Sequence, residues 1–182
     1  FIVGASFHLS PNNFSRYLHK RYKINSPYKS EEKYIRDILK IIRKENIEII
    51  IPIGFIDVIT LSKFKSLLEN EGVILPVPNY ELIRKVSNKS YLTELSKFIS
   101  LKYPKTLYFN RGIEKYNAKK SLNLEDIDLP VVIKGVSDAS KPAYVFSEDS
   151  LYDEIKRRRE FIIQEFIPGY GVGYFAIAKD GE

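Results

Sequence analysis

Apolar residues recur at two spacings along the 182-residue chain, and these spacings predict alternating strands and helices. Between residues 31 and 45 apolar side chains return every three or four positions, which indicates an amphipathic helix capped by Ser30. Apolar runs at 1–5 and 47–51 have the length of strands. The second run is typical of a strand buried on both faces.

A second helix and a third strand follow this run. Pro52-Ile-Gly54 turns the chain into a helix at 56–68, which Asn70-Glu-Gly72 ends. Residues 73–75 form a short strand, and the order of elements implies a parallel sheet covered by helices. A glycine after a parallel strand lies where α/β folds bind ligands, although a plain helix-entry turn explains Gly54 equally well.

The pattern changes after residue 79, where we place a domain boundary. A helix is predicted at 80–86 and another at 90–101, with Asn88 as the cap of the second helix. Its apolar face combines Leu92, Leu95, Phe98 and Ile99. Lys89 lies in the first turn, where its charge opposes the helix dipole, and a nearby phosphate would favour that placement.

A lysine closes the most apolar strand of the C-terminal half. Residues 131–133 are strong strand formers and Lys134 follows them, yet a desolvated ammonium is costly without an anionic partner. The next segment, 135–142, is a loop of small and polar residues that can bend around phosphates and offer N–H groups. Its members include Gly135, Ser137 and Ser140. The alternative is that Lys134 reaches the surface beside an ordinary hairpin.

The remaining segments are predicted as a second strand, a helix capped by Ser147, and a third strand at 161–164 that leads into a Pro-Gly exit. A further strand is predicted at 171–179. The polar segment 108–128 is interpreted as a strand end and one irregular helix.

Composition narrows the class of protein. With 44% hydrophobic and 29% charged residues, the chain is typical of a soluble globular protein, and no apolar run approaches the ~20 residues of a membrane helix. The absence of cysteine excludes disulfides and thiolate metal sites and fits a cytoplasmic protein. Abundant Ile, Lys and Glu hint at a thermophile. His8 and His19 have no cluster of ligands beside them, so no metal site is predicted.

A net charge of +6 and the basic run at 156–159 are the features that suit nucleic acid. The run lacks interleaved aromatic residues, and at helical spacing its side chains point in several directions. We therefore interpret it as a solvated helix face and do not expect nucleic acid as a partner.

The order of Asn88-Lys89, Tyr103-Pro-Lys-Thr106, Lys134 with its loop, and Glu165-Phe-Ile-Pro-Gly169 resembles the ATP-grasp superfamily, and within it the carbamoyl-phosphate-synthase-like ligases. The resemblance covers essentially the whole chain. It implies an α/β fold: a Rossmann-like pre-ATP-grasp domain with a parallel sheet at 1–79, lacking its first strand and helix. The first half of an α+β ATP-grasp domain follows at 80–182, with a lid subdomain at about 106–163.

The resemblance also implies roles for individual residues. Lys89 and Lys134 neutralise the phosphates of ATP, and the loop that contains Gly135, Ser137 and Ser140 closes over them. The adenine-binding hinge consists of Gln164, Glu165, Phe166 and Ile167. Gln164 and Glu165 remain alternatives for the contact with the adenine amino group or the ribose. No catalytic residue or metal ligand is assigned, because the magnesium ligands are expected beyond the given chain.

The function that this resemblance implies is an ADP-forming ligase, which activates a small carboxylate as an acyl phosphate for attack by an amine. The 182 residues alone are expected to be its ATP-binding, N-terminal portion and to be inactive. One alternative is an ATP-binding regulatory module without ligase activity, and another is a basic nucleic-acid-associated α/β protein. The sequence names neither substrate and leaves the oligomeric state open, a homodimer included.

Overall fold

The chain forms two compact units in the computed structural model, which describes residues 1–8, 14–110, 127–137 and 140–173. The first unit spans residues 1–87 and the second begins at Asn88. The described residues of the first unit form β1 (Val3–Ser6), β2 (Lys20–Lys23), α1 (Glu31–Glu45), α2 (Phe55–Lys63), α3 (Lys65–Glu69) and α4 (Tyr80–Val86). Helix α4 packs against α2, so the two units divide after α4. The domains at 1–79 and 80–182 and the lid at 106–163 stay predictions.

Helix α1 has the bounds that the sequence predicted. Ser30 Oγ accepts a hydrogen bond from the Lys33 N–H at 3.2 Å, and Asn46 ends the helix in the left-handed conformation, with φ of 51°. The buried face carries Tyr34, Ile35, Ile38, Ile41 and Ile42. This apolar stripe fixes α1 on the core of the first unit.

The predicted strand at 47–51, buried on both faces, is wrong. The run makes an isolated parallel bridge between Ile49 and Ile74, and Ile51 is 70% exposed. Ile47 and Ile50 pack against the core while Ile49 and Ile51 are exposed, so the run is only partly covered. A continuous apolar run does not distinguish partial burial from burial on both faces.

Strands β1 and β2 form the parallel sheet of the first unit, with Val3 paired to Lys20. The sequence did not predict β2, because three of its four residues are lysine or arginine. The helix predicted at 56–68 is divided into α2 and α3 at Phe64, whose φ of −105° and ψ of 18° leave the helical region. The description of this unit as Rossmann-like stays a prediction.

The described residues of the second unit form α5 (Lys89–Phe98), β3 (Thr106–Asn110), β4 (Val131–Gly135), β5 (Ala143–Val145), α6 (Glu148–Lys156) and β6 (Glu160–Glu165). The sheet has the order β3-β6-β4-β5, and each neighbouring pair is antiparallel. The predicted order of strand, loop, strand, capped helix and strand after Pro130 is confirmed. Leu151 and Ile155 of α6 join a buried cluster with alternate residues of the strands, so α6 covers one face of the sheet.

Helix α5 begins where the sequence predicted a cap. Asn88 Oδ1 accepts hydrogen bonds from the N–H groups of Ser90 and Tyr91, at 2.9 and 3.1 Å. Its predicted apolar face is not covered, because no residue of α5 is buried and Phe98 is 85% exposed.

Several predictions lie outside the described residues. They are the irregular helix within 111–126, the loop positions 138–139, the later part of the strand at 171–179, and the loop at 9–13. In the part of the chain that the structure describes, every helix is too short or too polar to span a membrane.

Removing the cap of α1 should destabilise the first unit. We expect Ser30→Ala to lower the free energy of unfolding by ~1 kcal/mol, because the Lys33 N–H loses its acceptor at the helix end. Urea denaturation followed by circular dichroism measures the change. Ser66→Ala, at an exposed position in α3, is the control and should stay within about 0.5 kcal/mol of the parent. Equal stability of the Ser30 variant and the parent would contradict the assigned cap.

Candidate functional site

The face of the sheet opposite α6 collects polar side chains in register. Side chains alternate along a strand, and Ile133 and Ile163 belong to the cluster beneath α6. Their neighbours Lys134 and Gln164 therefore lie on the other face. Gln164 pairs directly with Thr106 on β3 and with Val132 on β4.

A chain of hydrogen bonds runs along this face. Lys134 Nζ donates to Gln164 Oε1 at 2.7 Å, and Gln164 Nε2 donates to Thr106 Oγ1 at 2.9 Å. Thr106 Oγ1 donates in turn to the Pro104 carbonyl at 2.7 Å. The partner of the Lys134 ammonium is thus a neutral amide, and no carboxylate among residues 1–8, 14–110, 127–137 and 140–173 forms an ion pair with it.

Lys89 joins the same end of β4 from helix α5. Its Nζ donates to the Gly135 carbonyl at 2.7 Å, and its backbone N–H donates to the Val136 carbonyl at 2.9 Å. Gly135 is the last residue of β4, and the loop starts after it. Its carbonyl, at the strand end, is the acceptor for Lys89. These two bonds fix the beginning of α5 against the end of β4.

The two ammonium groups act on each other. Burial lowers the pKa of Lys134, and the positive charge of Lys89 lowers it further. Two ammonium groups held near each other form a place where an anion would be stabilised. The structure therefore brings together Lys89, Lys134, Gly135 and Gln164, four of the residues that the sequence singled out.

The amide groups at the start of α5 are committed within the protein. The Lys89 N–H donates to Val136, while those of Ser90 and Tyr91 donate to the Asn88 side chain. An anion near this helix would therefore meet the Lys89 side chain rather than the open N–H groups that helix ends often offer.

The segment from Gln164 to Ile167 leaves the sheet with part of its backbone engaged. The Glu165 N–H donates to the Lys105 carbonyl at 2.9 Å, and the Phe166 N–H donates to the Pro130 carbonyl at 3.2 Å. Ile167 is exposed, and its N–H donates to no backbone carbonyl in the described parts of the chain.

Phe166 fixes this segment through aromatic contacts. Its ring meets Tyr144 edge-on, with the ring centroids 6.1 Å apart, and lies 6.4 Å from the ring of Phe146. Both partners come from β5 or the residue after it, and both are exposed. Sequence reasoning missed Tyr144 and Phe146 and gave Thr106 no role of its own, since these roles depend on the register between strands far apart in sequence.

Ser137 and Ser140 are exposed and line a separate cleft with Arg157, Arg158 and Arg159. The interpretation of the basic run as a solvated helix face fits only part of it. Helix α6 ends at Lys156, and the Arg158 guanidinium is largely buried in an ion pair with Glu154 at 2.7 Å.

The described residues contain no group of three or more His, Asp or Glu side chains that could hold a metal ion. The placement of magnesium ligands further along the protein stays a prediction, and no catalytic group is assigned within this site.

Removing the buried charge should change how stability depends on pH. Because burial lowers the pKa of Lys134, the unfolded chain binds more protons above that lowered value, and stability of the parent should rise with pH. The free energy of unfolding should rise until the pH reaches the pKa of lysine in the unfolded chain, about 10.4. This rise should be missing in Lys134→Met. Urea denaturation at several alkaline pH values measures the difference between the two proteins.

Lys102→Met, which removes an exposed cation from the same unit, is the control for that experiment. A parent and a Lys134→Met variant whose stabilities keep a constant difference over the whole range would contradict the burial of a charged Lys134.

Comparisons with known proteins find solved structures of similar fold but no relative by sequence. No protein-family model matches the chain, and no curated protein sequence matches it either. Among solved structures it is similar to an L-amino acid ligase from Bacillus licheniformis, with 13% identity and a TM-score of 0.61 over 84% of this chain and 34% of that chain. A D-alanine–D-alanine ligase from Bacillus anthracis, solved with ATP, shows 14% identity and a TM-score of 0.60 over 92% and 58%.

A third similar solved structure is the biotin carboxylase domain of a 2-oxoglutarate carboxylase from Hydrogenobacter thermophilus, solved with MgADP and bicarbonate. Its identity is 17% and its TM-score 0.57, over 82% of this chain and 35% of that one. The chain thus spans between about a third and three fifths of these proteins. At such identities the likeness concerns the fold alone, which this chain shares with the two ligases and the carboxylase domain.

Proposed function

We propose that this chain is the ATP-binding portion of an ADP-forming ligase, which activates a carboxylate as an acyl phosphate for attack by an amine. One observation carries the proposal. Lys89 and Lys134 lie together at the end of a strand, where Lys134 is bonded to a neutral amide, in a chain with the fold of ATP-grasp ligases. A triphosphate is the anion that this fold and these two cations suit together.

The phosphates would lie over Lys134 and Lys89. The Lys134 ammonium has three N–H donors, so it can keep its bond to Gln164 and still bind a phosphate oxygen. In phosphoryl transfer, fixed positive charge stabilises the charge that spreads over the transferring group. Gln164 and Thr106 hold Lys134 in position for this task.

The adenine contact is assigned to the main chain of the hinge. The Gln164 amide is already engaged by Lys134 and Thr106, and Glu165 alternates to the opposite face of β6. The Ile167 N–H, which donates to no backbone carbonyl among the described residues, is the donor available for a ring nitrogen. Phe166, held by Tyr144 and Phe146, would keep that amide in place.

Magnesium belongs to the proposal as the ion that accompanies the phosphates. The H. thermophilus carboxylase domain was solved with MgADP, which supports it. Two metal ions that bridge phosphates need several fixed oxygen ligands, and the described residues hold no acidic cluster of that size. We therefore place those ligands outside the described residues. The first unit, with its parallel β1 and β2, is proposed as the pre-ATP-grasp domain.

Removing the strand-end lysine should weaken nucleotide binding. We expect Lys134→Ala to reduce the affinity for ATP at least tenfold, because a charge-assisted hydrogen bond contributes ~1.5–3 kcal/mol. Titration calorimetry measures the affinity, and Lys102→Ala controls for the loss of a surface cation. Unchanged affinity in Lys134→Ala, with normal binding by the parent, would remove Lys134 from the site.

Nucleotide should also protect the loop after β4. The segment 136–142 joins two strands and would cover the phosphates, so its amide hydrogens should exchange more slowly once ATP is bound. Hydrogen exchange followed by mass spectrometry on peptides from this segment measures the effect. Peptides from α1 in the first unit serve as the internal reference. Equal exchange with and without ATP at saturating nucleotide would rule out a closing loop.

A further inference from the structure

The second unit contains a cleft of about 650 Å³ between the loop after β4 and the turn that joins α6 to β6. Val136, Ser137 and Ser140 line it on the side of the loop. Arginines 157, 158 and 159 line it together with Glu154 and Glu160. None of these arginines belongs to the lysine site, which lies on the sheet face opposite α6.

Arg158 holds the two sides of the cleft together. Its Nε and Nη2 both donate to Glu154 Oε1, at 2.9 and 2.7 Å, which fixes the guanidinium on α6. Its other contacts reach across to the loop, to Ser140 Oγ and to the Lys141 carbonyl, each at 3.5 Å. Arg158 is therefore a structural member of the cleft, and its charge is already balanced by Glu154.

Arg157 and Arg159 provide the charge that remains. Both are exposed, and neither forms an ion pair with a carboxylate among the residues that the structure describes. Of the two acids among the described residues of the cleft, Glu154 is paired with Arg158, and Glu160 accepts a hydrogen bond from the Tyr108 hydroxyl at 2.5 Å and keeps its charge. Three arginines therefore face two carboxylates, which leaves the described lining with an excess of positive charge. Cations gathered in one cleft repel each other, and an anion between them relieves that repulsion.

We propose that this cleft is a second anion site, which binds a phosphate or carboxylate group through Arg157 and Arg159. A guanidinium matches either oxyanion with two parallel N–H donors, and the hydroxyl groups of Ser137 and Ser140 lie on the opposite wall. The loop that carries these serines begins after Gly135, and the carbonyls of Gly135 and Val136 accept hydrogen bonds from Lys89. One loop therefore separates the lysine pair from the arginine pair.

The test is an NMR titration of the 182-residue chain with inorganic phosphate and, separately, with succinate. Amide signals of Ser137, Ser140 and residues 157–159 should shift with at least one of the two, and the responding probe identifies the group as phosphate or carboxylate. Arg157→Ala/Arg159→Ala should weaken that response at least tenfold. The control is Arg84→Ala/Lys85→Ala, which removes two positive charges from exposed positions of α4. It should leave the response of the cleft signals to phosphate or succinate unchanged.

Two further variants separate this site from the proposed nucleotide site. Lys134→Ala should keep the phosphate or succinate response in the cleft, while Arg157→Ala/Arg159→Ala should keep its affinity for ATP. If the parent fails to bind ATP, the proposed function fails, but the response in the cleft still decides the second site. No shift with either probe, or equal weakening by both double variants, would overturn the proposal. So would a response that disappears in Lys134→Ala.

Discussion

An ammonium group held against a neutral amide on a half-buried sheet face is the constraint on which the second unit depends. Lys134 cannot leave this face, since strand alternation places it there while Ile133 is buried beneath α6. Its partner Gln164 is fixed by Thr106, and Lys89 adds a second positive charge beside the same strand end. An arrangement of this kind is stable enough to fold and is stabilised further by an anion.

The same constraint explains how distant elements meet. Helix α5 is attached to the end of β4 by two bonds from Lys89, so the helix start and the strand end form one structure. From there the loop continues to Ser140, where Arg158 connects it to α6. The loop after β4 therefore has cationic groups on both sides, and this supports one bound anion at the lysines and another at the arginines.

Local patterns predicted much of the fold. Ser30 and Ser147 begin helices where the sequence placed caps, because a cap is decided by a few neighbouring residues. The run at 47–51 was misjudged because burial depends on what packs against each side, which one chain segment does not contain. In the site, Lys89 and Lys134 could be chosen from their local placement. Thr106 could not be assigned a role, since its bond to Gln164 depends on a pairing across 58 residues. The arginine cleft was missed for a different reason, because the sequence pattern did not show that the chain leaves the helix at Arg157.

The central claim is that the face with the two lysines binds the phosphates of a nucleotide. A crystal structure of the chain with a non-hydrolysable ATP analogue tests it most directly. The account predicts phosphate oxygens within hydrogen-bond distance of Lys89 Nζ and Lys134 Nζ, and the adenine beside the Ile167 N–H. A nucleotide bound elsewhere, with neither lysine ammonium within hydrogen-bond distance of a phosphate oxygen, would contradict it.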